Sequence, residues 1–73
     1  MSRLKQARKK AGYTQVELAE LAQTDQESIS RYEAGKVRLG IEVAMRIATV
    51  LKTDPLYLMG RQNTPELLST TQQ

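Results

Sequence analysis

Apolar residues recur along this chain at intervals of three and four, and polar breaks divide them into five short helical runs. In the first run, Ser2 to Ala11, Leu4, Ala7 and Ala11 share a face while Arg3, Lys5, Lys9 and Lys10 look outward. Ser2 reads as its cap and Gly12 as its stop. Thr14 to Ala22 carries Leu18, Ala19, Leu21 and Ala22 on one side. After Gln23-Thr24-Asp25, the pattern resumes with Ile29 and Tyr32 in Gln26 to Glu33. Thr14 and Asp25 each stand where a side-chain oxygen caps free helix amides, and Glu17, three residues after Thr14, completes a capping-box pattern.

The third run closes at Ala34-Gly35, and Lys36 to Gly40 forms a short basic loop. From Ile41 to Lys52 the inner face is Ile41, Ala44, Ile47, Ala48 and Leu51, widened by Val43, Met45 and Val50. Only Glu42, Arg46 and Thr49 remain as a polar stripe. So broad an apolar arc implies either a fully wrapped core helix or a second face buried by a partner. Asp54-Pro55 opens a fifth helix, Leu56 to Met59, stopped by Gly60. There is no strand candidate and no internal repeat. The expected fold is all-α, one compact five-helix domain over residues 1–60. Residues 61–73 form a polar tail in which 65–69 have the makings of a short helix, although so brief a helix is marginal without packing.

At 73 residues the chain is near the lower size for a single core, and it has neither cysteine nor histidine. Disulfides and thiolate metal sites are thereby excluded, and the commonest general base and metal ligand are missing together. No catalytic residue, metal site, cofactor or small-molecule ligand is evident, and the protein is not expected to be an enzyme. The net charge is +3, and five of the eleven basic residues crowd into the first ten positions: Arg3, Lys5, Arg8, Lys9 and Lys10. A basic domain favours polyanions. No apolar run approaches the ~20 residues that span a bilayer, and the first helix is too poor in apolar residues to bind a membrane surface. A cytoplasmic location is expected. Arg8 differs from its neighbours because helical spacing turns it towards the core. A half-buried arginine needs a carboxylate, and Glu33 is the candidate for a structural pair.

The exposed face of the third helix carries Gln26, Glu27, Ser28, Ser30 and Arg31, short polar groups better suited to base edges than to a core. The ordered set Arg8, Gly12-Tyr13-Thr14-Gln15 and Leu18-Ala19 resembles the opening of the lambda repressor, Cro and Xre-like helix-turn-helix family. Ile29 to Gly35 resembles its middle, and Ile47-Ala48, Leu51 and Leu58 its close. The likeness covers roughly residues 3–60 and places the helix-turn-helix at helices 2 and 3. It implies a sequence-specific, double-stranded-DNA-binding transcription regulator, bacterial or phage-encoded and nucleoid-associated, with a repressor the favoured kind. A protein-binding adaptor or antitoxin-like module of the same fold is the alternative. Two departures stand out: Gln23 occupies the turn position where the family usually has glycine, and Leu39-Gly40 replaces the usual proline. A left-handed Gln costs on the order of 1 kcal/mol, so a looser or reshaped turn is expected.

By position, the resemblance implies that Gln15 holds a phosphate and buttresses the recognition helix. Gln26, Glu27, Ser28 and Arg31 become the base-reading group. Thr14, Gln15, Ser30, Lys36 and Arg38 become the phosphate-contacting group, and Arg8 with Glu33 a structural pair. Glutamine can pair with adenine through N6 and N7, arginine with guanine, and a carboxylate with the cytosine amine. Plainer readings stand beside these: Gln15 as a capping-turn residue, Gln26 and Ser28 as solvated, Glu27 as a dipole partner, Arg31 on phosphate, and Lys36 and Arg38 as loop charges. A domain this small covers a half-site, so a homodimer on a pseudo-palindrome is expected. Leu56, Tyr57, Met59, Leu67 and Leu68 are its candidate interface.

Overall fold

The computed structural model describes residues 2–61 and Asn63, and within these the chain is all-helical. Its elements are α1 (Arg3–Ala11), α2 (Gln15–Leu21), α3 (Gln26–Ala34), α4 (Ile41–Leu51) and α5 (Pro55–Leu58). The helical turn expected at 65–69, and with it Leu67 and Leu68, lies outside the described residues.

Local chemistry sets the ends of these helices. The Ser2 Oγ accepts from the Lys5 N–H at 3.1 Å. The capping box at α2 is complete: the Glu17 N–H donates to Thr14 Oγ1 at 3.1 Å, and the Thr14 N–H donates to Glu17 Oε1 at 2.8 Å. At α3, Asp25 Oδ1 accepts from the Ser28 N–H at 2.7 Å. Asp54 caps α5 through the Leu56 N–H at 2.9 Å, with Pro55 in the first turn. α4 starts at Gly40 without a side-chain cap and ends at Lys52 in the left-handed conformation, φ +57°.

The core lies where α2 meets α3 and α4 while α1 crosses α3, α4 and α5. Leu4, Leu18, Ile29, Leu39, Ile47 and Leu58 fill it with small residues between them: Ala19, Ala22, Ala44 and Ala48. Burial of a Leu or Ile of this kind contributes about 1.5–3 kcal/mol. Tyr13, Tyr32, Val43, Val50, Leu51, Tyr57 and Met59 pack around it, partly buried.

Three residues expected on inner faces are exposed, and so is Met45 (55%) from the widened apolar arc of α4. Leu21 is 54% exposed. In α2 the buried set Leu18, Ala22 and Ala19 spans roughly 100° of the helix, and Leu21 falls about 60° beyond its edge. Ile41 is exposed because it is the first residue of α4, a turn ahead of the buried Ala44–Ile47–Ala48 row. Ala11, at the last position of α1, is exposed as well. The turn is the other correction. Gln23 takes φ +60°, the conformation that glycine would supply, so the turn keeps a left-handed residue instead of being reshaped.

Candidate nucleic-acid interface

The capping box fixes where α2 begins, and with it the position of Gln15, the first helical residue. Gln15 falls on the same side of α2 as Ala22 and Leu18, which turns its amide towards α3. There its Nε2 donates to Glu33 Oε1 at 3.0 Å. Its own Oε1 accepts from Gln26 Nε2 at 3.2 Å. Glu33 is in turn held by Arg8, whose Nε donates to Oε2 at 2.6 Å and whose Nη2 donates to Oε1 at 3.1 Å. Arg8 Nη1 donates to the Tyr13 carbonyl at 2.9 Å. A continuous run of side chains therefore joins α1, α2 and α3 and ends at the exposed Gln26.

The two side chains at the root of this run are almost wholly buried, 9% exposed for Arg8 and 4% for Glu33. Burial pushes the Glu33 carboxyl up. The hydrogen bonds from Arg8 and Gln15, with the charges of Arg8 and Lys5, outweigh that and hold it below the usual carboxylate range. Asp25 is lowered too, chiefly by the hydrogen bond from the Ser28 N–H and then by the Ser28 hydroxyl.

The remaining sequence-predicted residues distribute unevenly. Gln26, Glu27, Ser30 and Arg31 are exposed on α3, while Ser28 is half-buried with its hydroxyl turned to Asp25. Glu27 and Arg31, one turn apart, approach to 3.8 Å as an exposed ion pair. Thr14 is exposed but its hydroxyl is engaged in the cap. Lys36 and Arg38 are exposed beyond the end of α3. Of the proposed interface residues, Tyr57 and Met59 pack partly against the core, and Leu56 is exposed.

Two arginines have partners that the sequence pattern did not suggest. Arg46, read as part of a polar stripe, sends Nε to the Ala22 carbonyl at 2.9 Å. It thus ties α4 to the C-terminal end of α2, which has no basic residue in its own last turn. That missing charge, beside a lone arginine in an apolar helix, was the available signal. Arg3, expected to face outward, lies 4.6 Å over the Tyr57 ring and donates Nη1 to the Tyr57 carbonyl at 3.1 Å.

Comparison with known proteins gives this geometry its context. Residues 4–58 match the family described as Helix-turn-helix. The chain belongs to that helix-turn-helix family. A Pyrococcus furiosus protein, provisionally named an HTH-type transcriptional regulatory protein, is 40% identical over 48 residues, 66% of this chain. The matched segment spans only 15% of that relative's length. No solved structure matches the chain significantly. Within the helix-turn-helix unit, α2 and α3 are the two helices of the motif, with Gln23 in the turn between them. Among the described residues, no group of three acidic ligands is placed to hold a metal, and no helix is long and apolar enough to cross a membrane.

Proposed function

We propose that the protein is a sequence-specific, double-stranded-DNA-binding transcription regulator that acts as a repressor. The observation carrying this is the Gln15–Gln26 hydrogen bond, which holds the first residue of α3 on an exposed polar surface shared with Glu27, Ser30 and Arg31. Family membership and the regulatory name of the Pyrococcus furiosus relative support it. In this reading α3 lies in the major groove. Gln26 meets adenine with one N–H and its oxygen, Arg31 meets guanine, Glu27 accepts from a cytosine amine, and Ser28 touches a thymine methyl. Thr14, Gln15, Ser30, Lys36 and Arg38 face the backbone, supplying salt-dependent affinity without reading sequence. Residues 1–60 are the DNA-binding domain and 61–73 its tail, and the protein works in the cytoplasm of a prokaryotic or phage-infected cell.

A single unit covers a half-site. The operator is accordingly a pseudo-palindrome bound by a homodimer, its recognition helices roughly 34 Å apart. Leu56, exposed on α5 beside Tyr57 and Met59, marks the contact between protomers. Selection from a pool of random duplexes tests the reading. A two-fold related motif should be enriched, and Gln26→Ala and Arg31→Ala should each lose preference at one position per half-site. A pool that stays random, with affinity unchanged in both variants, refutes sequence reading through α3.

A further inference from the structure

We infer that the buried Glu33 carboxylate sets the donor–acceptor polarity with which Gln26 faces a base, acting through Gln15. The inference rests on the proposal that Gln26 is a base reader. It gives Glu33, so far one half of a structural ion pair, a second role as a positioning residue.

The argument follows from what each group can offer. An ionised carboxylate only accepts. Glu33 Oε1 receives Arg8 Nη2 at 3.1 Å and Gln15 Nε2 at 3.0 Å, and its Oε2 receives Arg8 Nε at 2.6 Å. Gln15 can meet it only with the amide nitrogen. That choice turns the Gln15 oxygen towards α3, where it needs a donor. Gln26 supplies one through Nε2 at 3.2 Å. One of its two N–H groups is thereby used, leaving Gln26 with one N–H and its oxygen on the exposed side. One donor beside one acceptor matches adenine, which presents the N7 acceptor and the N6 amine. Guanine presents two acceptors, N7 and O6, and leaves the glutamine oxygen facing another oxygen. Isolated glutamines turn their amides over freely. Here the orientation is imposed from a side chain that is 4% exposed and two hydrogen bonds away from the groove.

Reversing the root should reverse the tip. In Glu33→Gln the orientation that keeps the oxygen on Arg8 Nε sets the amide nitrogen against both Arg8 Nη2 and Gln15; with Arg8→Met added, the opposing N–H is gone and the nitrogen can face Gln15. Gln15 then turns over to offer its own oxygen, its nitrogen faces Gln26, and Gln26 answers with oxygen. Both Gln26 N–H groups become free for a base, the pattern that suits guanine.

The test has two arms, both on the full chain. In the first, competition binding compares duplexes that differ only as adenine or guanine at the position whose preference Gln26→Ala abolishes. The wild-type protein should favour adenine by at least about five-fold, and Arg8→Met with Glu33→Gln should lose or invert that ratio. A folded Arg8→Met, Glu33→Gln double variant that keeps the wild-type adenine-to-guanine ratio overturns the inference. In the second arm, no DNA is present. Proton–proton contacts between the Gln15 side-chain amide and the Arg8 guanidinium, both converging on Glu33 Oε1, should appear in the wild-type NMR spectrum. Their absence from the wild type overturns the polarity whatever the DNA result. If they are present but no position depends on Gln26, it is the base-reading proposal that fails, and with it the role of Glu33 in specificity.

Discussion

At Gln23 the backbone sits at φ +60°, where a side chain costs about 1–2 kcal/mol and glycine costs none. Gln23→Gly should therefore stabilise the protein by about 0.5–1 kcal/mol, after glycine's own entropy in the unfolded chain is subtracted. A urea titration reading the midpoint checks this, and an unchanged or lower midpoint would mean that the glutamine is held by something other than the turn. Arg8 is the opposite case. Arg8→Met leaves the Glu33 carboxylate buried without its main partner and should destabilise by about 3 kcal/mol, whereas Arg8→Met with Glu33→Met should recover much of the loss. Glu27 presents a third kind of question. Its carboxylate offsets the charge of Arg31 across 3.8 Å in water, a contact worth little to stability. In Glu27→Gln, Arg31 is free to take one more phosphate. Affinity for a random duplex should rise a few-fold at low salt, with the salt slope steeper by about one. Fluorescence anisotropy across a salt series reads both numbers.

Among the elements, α4 does more than fill the core. Its Arg46 holds the Ala22 carbonyl at the point where α2 enters the turn. Arg46→Met should cost about 1–2 kcal/mol, since a charge-assisted bond to a nearly buried carbonyl is lost. It should also speed hydrogen exchange at the Thr24 amide, which bonds the Ala19 carbonyl at 2.9 Å in the same turn. Exchange at Thr24 that matches the wild type would separate Arg46 from the turn. These elements also mark where the chain could be read directly. Ser2, Thr14, Asp25 and Asp54 act on amides two or three residues ahead, so their caps are written in adjacent residues. The row Leu18, Ile29, Ile47 follows from helical period alone. Arg46 could not be found that way, because its partner is 24 residues distant and depends on how α4 docks on α2. Leu21 was misplaced for a related reason: which part of a broad apolar arc faces inward is decided by the neighbouring helix. The exposed polar face of α3 was legible as a surface, but the order of its hydrogen bonds back to Glu33 required three helices to be in place.

For the molecule as a whole, acid should be the sharpest solvent variable. Glu33 and Asp25 both ionise more readily in the folded state, for the reasons given above. Their stabilisation is complete above the carboxylate range of the unfolded chain, near pH 4, and is lost as pH falls through the lower folded values. Thermal melts should hold steady from pH 7 to about 5 and decline below about 4, and Glu33→Gln should flatten that decline. A profile that falls equally in the variant would place the acid sensitivity elsewhere. The Arg3–Tyr57 clasp has a further consequence at this scale. It joins α1 to α5, the last helix among the described residues, and Ser2 and Gly60 border one shared groove about 480 Å³ in volume. Residues 2 and 60 thus lie at the same pole of the five-helix unit. A loop bridging that groove would close the backbone into a ring, passing over the C-terminal end of α3, whose Tyr32, Glu33 and Ala34 also line it. By the same topology, a larger polypeptide can carry this unit on a two-stranded stalk, with both connecting strands emerging together.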